Sequence, residues 1–165
     1  TGRSRSANQG KRRISDITFR NAVKDDLKTL VALLADDDIA EGREQAKGDL
    51  LPAYAAAFDD MARNPDNRIL VAERDGQIVG SLQLVFIAGL SRQGAKRAII
   101  ESVRVSSKAR GHNIGTLLMK EAIAQAKAAG CKLVQLTSDK RRTRAHLFYR
   151  RLGFLQTHEG FKLDL

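Results

Sequence analysis

Val103-Arg-Val-Ser-Ser-Lys-Ala-Arg-Gly-His-Asn-Ile-Gly-Thr-Leu-Leu118 changes character twice. Its first residues alternate like the end of a β-strand. Arg110, Gly111, Asn113 and Gly115 then read as a turn. From Ile114 onward apolar residues recur at helical spacing (Ile114, Leu117, Leu118, Ala122, Ala126) until Gly130 stops the run. A helix N-terminus carries unpaired N–H groups and partial positive charge, and a glycine-containing turn lets an anion approach that backbone closely. Lys108 and Arg110 add charge beside it. No Gly-Lys-Ser/Thr follows, so this is not a Walker loop, and G-x-G-x-x-G is absent. A phosphate-binding strand–turn–helix is the reading, against the simpler alternative of a glycine-capped turn.

Downstream, Leu133 to Thr137 is an apolar strand, so the helix between it and the Val103 strand predicts a parallel, right-handed crossover. Arg144 to Leu152 predicts a second helix ended by Gly153, and Phe154–Gln156 and Phe161–Leu165 predict two short terminal strands. Upstream, Ile69–Glu73, Ile78–Ala88 and Arg97–Ser106 read as an antiparallel meander, with Asp75-Gly76 as the first turn. Leu50–Arg63 reads as a helix with Pro52 in its first turn, Asp36–Gly48 as an acidic loop, Ala22–Leu34 as a helix, and Ile17 with Phe19 as a strand. The expected class is α/β (α+β): a mixed, mostly antiparallel sheet of about seven strands with about four helices.

The chain has 165 residues, 42% of them apolar and 29% charged, which suits one folded unit with one core. A single cysteine allows neither an internal disulfide nor a cysteine-based metal site and fits a reducing compartment, so a cytoplasmic protein is expected, with no metal. No apolar run approaches the roughly 20 residues of a membrane span, and no secretory leader is expected in the polar N-terminus. The net charge of +10 points to an anionic partner, but five of the basic residues fall in residues 1–13, which lack any large apolar group and are expected to be a disordered basic tail. Aromatics are 5% and Trp is absent, so no aromatic-plus-basic platform is visible and nucleic acid is disfavoured as a partner.

Arg110-Gly-His-Asn-Ile-Gly115 resembles the acyl-CoA pyrophosphate loop of the GNAT superfamily of N-acetyltransferases, with Asn113 in place of the first glycine of the usual Arg/Gln-x-x-Gly-x-Gly/Ala pattern. Asn tolerates left-handed backbone better than other non-glycine residues, so the loop is expected to survive. Ile100-Glu-Ser-Val-Arg-Val105 resembles the strand before that loop, and Ala145-His-Leu-Phe-Tyr-Arg-Arg-Leu-Gly-Phe154 the family's C-terminal A-x-x-F-Y-x-x-L-G-F motif. The segment from Leu136 to Phe154 also looks like bacterial small-molecule acetyltransferases.

The resemblance implies a GNAT fold over residues 14–165 as a single acetyltransferase domain. It also implies acetyl-CoA as co-substrate and transfer to a primary amine, of a small molecule, by direct attack in a ternary complex. Backbone groups of Val103 and Val105 would hold the acetyl carbonyl and pantetheine. The N–H groups of Gly111, His112, Asn113, Ile114, Gly115 and Thr116, with Arg110, would hold the pyrophosphate. Tyr149 would return a proton to the thiolate and Glu101 would take one from the ammonium, Glu101 sharing a strand face with Val103 by simple alternation. One or two of Lys140, Arg141, Arg142 and Arg144 would reach the adenosine 3′-phosphate. Tyr54, Asp36 to Asp38 and Arg92 are candidates for the acceptor side; His146 is read as structural, and Cys131 is rejected as a nucleophile. Two alternatives stay open: a non-catalytic acyl-CoA sensor or basic nucleic-acid module, and a protein or peptide N-acetyltransferase. The family often dimerises, so a homodimer stays open too, though no segment marks an interface.

Overall fold

The computed structural model describes residues 17–37, 39 and 41–165. The basic tail, Ile14 and Asp38 lie outside these residues. Five strands form one sheet in the order β1-β2-β3-β4-β5: β1 (Thr18–Asn21), β2 (Asn67–Arg74), β3 (Gln77–Ile87), β4 (Arg97–Val105) and β5 (Leu133–Leu136). All neighbours are antiparallel except β4 and β5, which are parallel across the helix between them. The helices are α1 (Leu27–Ala35), α2 (Pro52–Ala62), a single turn α3 (Ser91–Gly94), α4 (Ile114–Ala128) and α5 (Thr143–Arg151). The expected meander, crossover and helices are all present.

Local chemistry explains the connections. Asp75 (φ 53°) and Gly76 (φ 72°) are both left-handed, as a two-residue turn matched to strand twist requires, and they close the β2–β3 hairpin. Pro52 sits in the first turn of α2, where its missing N–H has no helical partner to lose. Beyond α5, the N–H of Phe154 donates to Tyr149 O at 3.1 Å and that of Gly153 to Arg150 O at 3.0 Å, with Gly153 at φ 92°. This paired cap ends the helix and brings the Phe154 ring edge-on to Tyr149, 6.0 Å between centroids.

One face of the sheet packs on α4. Leu82, Leu84, Phe86, Ala98 and Ile100 meet Ile114, Leu118, Met119, Ala122 and Ala126 in a single buried cluster. The other face is covered by α1, which buries Leu30, Val31 and Leu33 and touches β3 and β4.

The expectation of about seven strands is corrected to five among the described residues. Residues 154–165 form no strand. Phe154 is drawn into the cap of α5, while Leu155, Phe161, Leu163 and Leu165 are all largely exposed. Runs this short gain strand geometry only from a neighbour to pair with, and β5, itself four residues long, pairs only with β4.

Candidate active site

β4 has two halves. Arg97 to Ile100 pair with β3 on one side and with Leu133 to Leu136 of β5 on the other. Past the Ile100–Leu136 pair, β5 ends and residues 101–105 keep a neighbour on the β3 side alone. At the same place the β3–β4 register slips between Ser81 and Gln83, and Ser102 takes φ 52°. An extra residue in one strand leaves a ladder group unpaired and re-aims the side chains after it.

The bulge corrects one expectation. Alternation carried straight through β4 puts Glu101 and Val103 on one face. With Ser102 inserted, Val103 and Val105 pack on the α4 side with Ala98 and Ile100. Glu101 is exposed, and Arg104 turns to the α1 side, where its Nη2 donates to Asp37 Oδ2 at 2.9 Å.

β4 leads through a 3₁₀ turn (Ser107–Ala109) into the loop before α4. Gly111 (φ 82°) and Asn113 (φ 62°, ψ 10°) are both left-handed, so Asn113 adopts the backbone a glycine usually supplies. Arg110 to Asn113 are exposed, and the first helical bond of α4 is Leu117 N–H to Asn113 O, 3.1 Å. The N–H groups of Ile114, Gly115 and Thr116 are therefore left without a helical acceptor. The Arg110 guanidinium folds back, Nε donating to Val105 O at 3.3 Å and Nη2 to Asp36 O at 3.1 Å. Nδ1 of His112 lies 3.2 Å from Ala109 O and 3.1 Å from Arg110 O, pinning the loop when that nitrogen is protonated.

Asp36 and Asp37 tie the loop after α1 to this region. The Ser107 N–H donates to Asp36 Oδ2 at 2.8 Å; this bond, chiefly, holds the Asp36 carboxyl below its ordinary value of 3.8. Asp37 is buried. Its Oδ2 accepts from Arg104 and Arg142, and its Oδ1 accepts from the Ile39 N–H at 3.1 Å. Burial pushes the Asp37 carboxyl up, but the bonds from Arg142 and Ile39 and the two guanidinium charges bring it below 3.8.

Tyr149 stands close by, its ring stacked obliquely on Phe148 at 5.2 Å. Burial raises its phenol above 10, and the charges of Arg104 and Arg142 pull against that rise, while Glu101 adds to it. The phenol thus stays protonated through the neutral range. The charges of Arg104, Arg142 and Glu101 all act on this one hydroxyl group. Arg104 and Arg142 were not singled out for this place by the sequence, because only the bulge turns the first toward Asp37 and only tertiary folding brings the second there.

Other candidates lie elsewhere. Arg92 belongs to α3, before the N-terminal end of β4 and so at the far end of that strand from Glu101. Tyr54 donates to Glu44 Oε2 at 2.7 Å and accepts from the Gln45 N–H at 3.1 Å, bracing its own loop. Nε2 of His146 is 2.9 Å from Asp139 O. Cys131 follows the C-terminal end of α4, roughly 22 Å along the helix from the Asn113 loop, and burial raises its thiol. Of the basic run, Arg141 pairs with Asp139 at 2.8 Å and Arg142 with Asp37. A shallow hollow of about 450 Å³ lined by Arg68, Phe86, Gln125 and Ala129 also sits at the C-terminal end of α4, away from these groups.

The sequence from residue 29 to 154 matches the model of the Acetyltransferase (GNAT) family. The chain belongs to this family. It is an acyltransferase by that membership, and the family uses acetyl-CoA. Among curated proteins, this GNAT chain is 32% identical over 146 residues to the aminoalkylphosphonate N-acetyltransferase of Salmonella typhimurium, covering 87% of this chain and 88% of the relative. Among solved structures, a protein from Bacillus halodurans C-125 described as a transcriptional regulator superposes with a TM-score of 0.88 at 43% identity, covering 91% and 100% of the two chains. A Trypanosoma brucei acetyltransferase does so with a TM-score of 0.73 at 27% identity, covering 91% and 100%. No helix among the described residues is long and apolar enough to cross a membrane.

Proposed function

We propose that this GNAT enzyme transfers the acetyl group of acetyl-CoA to a primary amine of a small molecule, by direct attack in a ternary complex. The observation that carries this reading is β4 itself. Its second half is open on the β5 side from the bulge at Ser102 onward and runs directly into an exposed anion-binding loop. The Salmonella relative, by name a small-molecule N-acetyltransferase, supports the acceptor class.

The residues fit the co-substrate. An extended pantetheine arm can add to an open strand edge through main-chain groups, with Val103 and Val105 in the unpaired half. The left-handed turn at Gly111 and Asn113 and the open N–H groups of His112, Ile114, Gly115 and Thr116 suit a pyrophosphate, with Arg110 beside them. When bound, acetyl-CoA supplies the acetyl group as an activated thioester.

The protein's own groups do the rest. The Val103 N–H donates to the carbonyl oxygen as negative charge develops on it. An alkylammonium must lose a proton before it attacks, and Glu101, exposed on the open half of β4, takes it directly or through one water. As the C–N bond forms and the C–S bond breaks, the Tyr149 hydroxyl donates its proton toward the departing sulfur, and the second proton shed by the acetylated nitrogen restores the phenol through solvent. Cys131 takes no part, so no acyl-enzyme is formed.

Thermal unfolding of ligand-free protein with and without acetyl-CoA tests the reading first. At about 100 times its dissociation constant a ligand adds roughly 2.7 kcal/mol, a rise of about 5–10 °C for a chain of this size. Release of free thiol with an amine panel then tests turnover. No rise at millimolar acetyl-CoA defeats the reading. The description of the Bacillus halodurans relative and the charge of +10 favour a second reading, nucleic-acid binding. A salt-dependent shift with duplex DNA that survives removal of residues 1–13 supports it.

A further inference from the structure

Two guanidinium groups converge on one carboxylate oxygen beside Tyr149. Arg104 Nη2 and Arg142 Nη2 both donate to Asp37 Oδ2. The three residues come from β4, from the cap of α5 and from the loop after α1. A brace between these elements needs a single ion pair, and a well-packed apolar contact serves as well or better. Here one carboxylate faces two cations, and the side chains of Arg104 and Arg142 are only 18% and 26% exposed. Arg104 Nη1 is spent on Val103 O at 2.9 Å, while its Nε is buried and without a partner among the described residues. A buried donor left unpaired is costly unless something else satisfies it. Burial, chiefly, pulls Arg104 below its ordinary value despite the Asp37 charge, and the charges of Arg142 and of Arg43, from the loop after α1, add to that pull.

The two guanidinium charges and the charge of the exposed Glu101 all bear on the Tyr149 hydroxyl. The Glu101 carboxylate suits an ammonium, and the paired guanidinium groups suit an anion. Guanidinium forks match carboxylate and phosphonate oxygens in geometry as well as charge.

We propose that Arg104 and Arg142 recognise an anionic group carried by the acceptor, so that the acceptor is a short zwitterionic amine bearing a phosphonate or a carboxylate. This rests on the amine-acetylation reading above. Asp37 is then a positioning residue that holds the two guanidinium groups together.

The test compares three amines of similar length with saturating acetyl-CoA and the full chain: 2-aminoethylphosphonate, 3-aminopropanoate and the uncharged 3-aminopropan-1-ol. At least one anionic amine is expected to exceed the alcohol in kcat/KM by about 100-fold, the scale of losing a charge-assisted pair. The phosphonate and carboxylate arms tell which anion is preferred. Arg142→Gln, at the N-cap of α5, is expected to cut that preference at least tenfold, mainly through KM. Arg142→Lys, which keeps charge but loses the fork, is expected to fall between. Protection of each variant by acetyl-CoA in thermal unfolding shows that it is folded.

Equal turnover of the alcohol overturns the proposal and leaves the acetyltransferase reading intact. So does a preference unchanged in both variants. Protection by acetyl-CoA with no amine turned over overturns the proposal and the amine-acetylation reading together. Absence of protection and turnover overturns the co-substrate reading beneath them.

Discussion

The two halves of β4 are adjacent in sequence and opposite in design. Residues 97–100 pair on both sides, and Ala98 and Ile100 are 0% and 1% exposed. Residues 101–105 pair on one side, carry Glu101, Ser102 and Arg104, and hold a left-handed residue mid-strand. The first half gains its stability from packing. The second gives up a strand neighbour, leaving backbone donors and acceptors that another molecule can use. The end of β5 opens that edge, and the bulge, a single extra residue, interrupts the ladder to β3 and re-aims the side chains after it.

Neighbouring substitutions across that boundary separate the two designs. Ile100→Ala is expected to lower unfolding free energy by about 2–5 kcal/mol, as emptied core positions do, read from denaturant midpoints. Glu101→Gln, one residue on and exposed, is expected to stay within about 0.5 kcal/mol in stability. It is expected to lower the acetylation rate more than it weakens acetyl-CoA binding. Equal stability losses at the two positions would erase the distinction. A turnover profile in Glu101→Gln that matches wild type from pH 6 to 9 would remove Glu101 as the base.

Next in size, Tyr149→Phe is expected to lower turnover roughly 10²-fold, the low end for an acid–base group. A loss under twofold would mean that the ring only packs against Phe148 and Phe154.

Asn113 sharpens the comparison at the loop. Asn113→Val puts a β-branched residue at φ 62° and is expected to destabilise by about 1–2 kcal/mol. Asn113→Gly relieves the same backbone at an entropic cost, a net change of a few tenths of a kcal/mol. If both behave alike, the left-handed turn is not what shapes the loop.

The smallest effect concerns Asp36 and Asp37, which fasten the loop after α1 to the open half of β4. Both carboxyls are held below 3.8 in the folded protein. Depressed carboxylates stabilise the fold above their unfolded value, and that stability is lost as pH falls below about 3.8 through their folded values. Melting temperature is therefore expected to drop between pH 4 and 2, and Asp37→Asn is expected to flatten that drop.

Much of this was legible in the residues. The Asp75-Gly76 hairpin, the helix from Ile114 with its stop at Gly130, and the glycine after Leu152 all act through local backbone preferences. The tolerance of Asn113 for left-handed backbone belongs with them, as does the order of strands that a helical crossover imposes. The family followed from motifs built on those same local features.

The rest depended on neighbours. Nothing in Ile100-Glu-Ser-Val-Arg-Val105 marks Ser102 as the extra residue, because a bulge is decided by which partners β3 offers and where β5 stops. The terminal runs around Leu155 and Leu163 look like strands by composition, yet strand geometry exists only where a pairing edge is engaged. Asp37, Arg104 and Arg142 are ordinary charged residues in three distant segments. Folding alone places two guanidinium groups on one buried carboxylate.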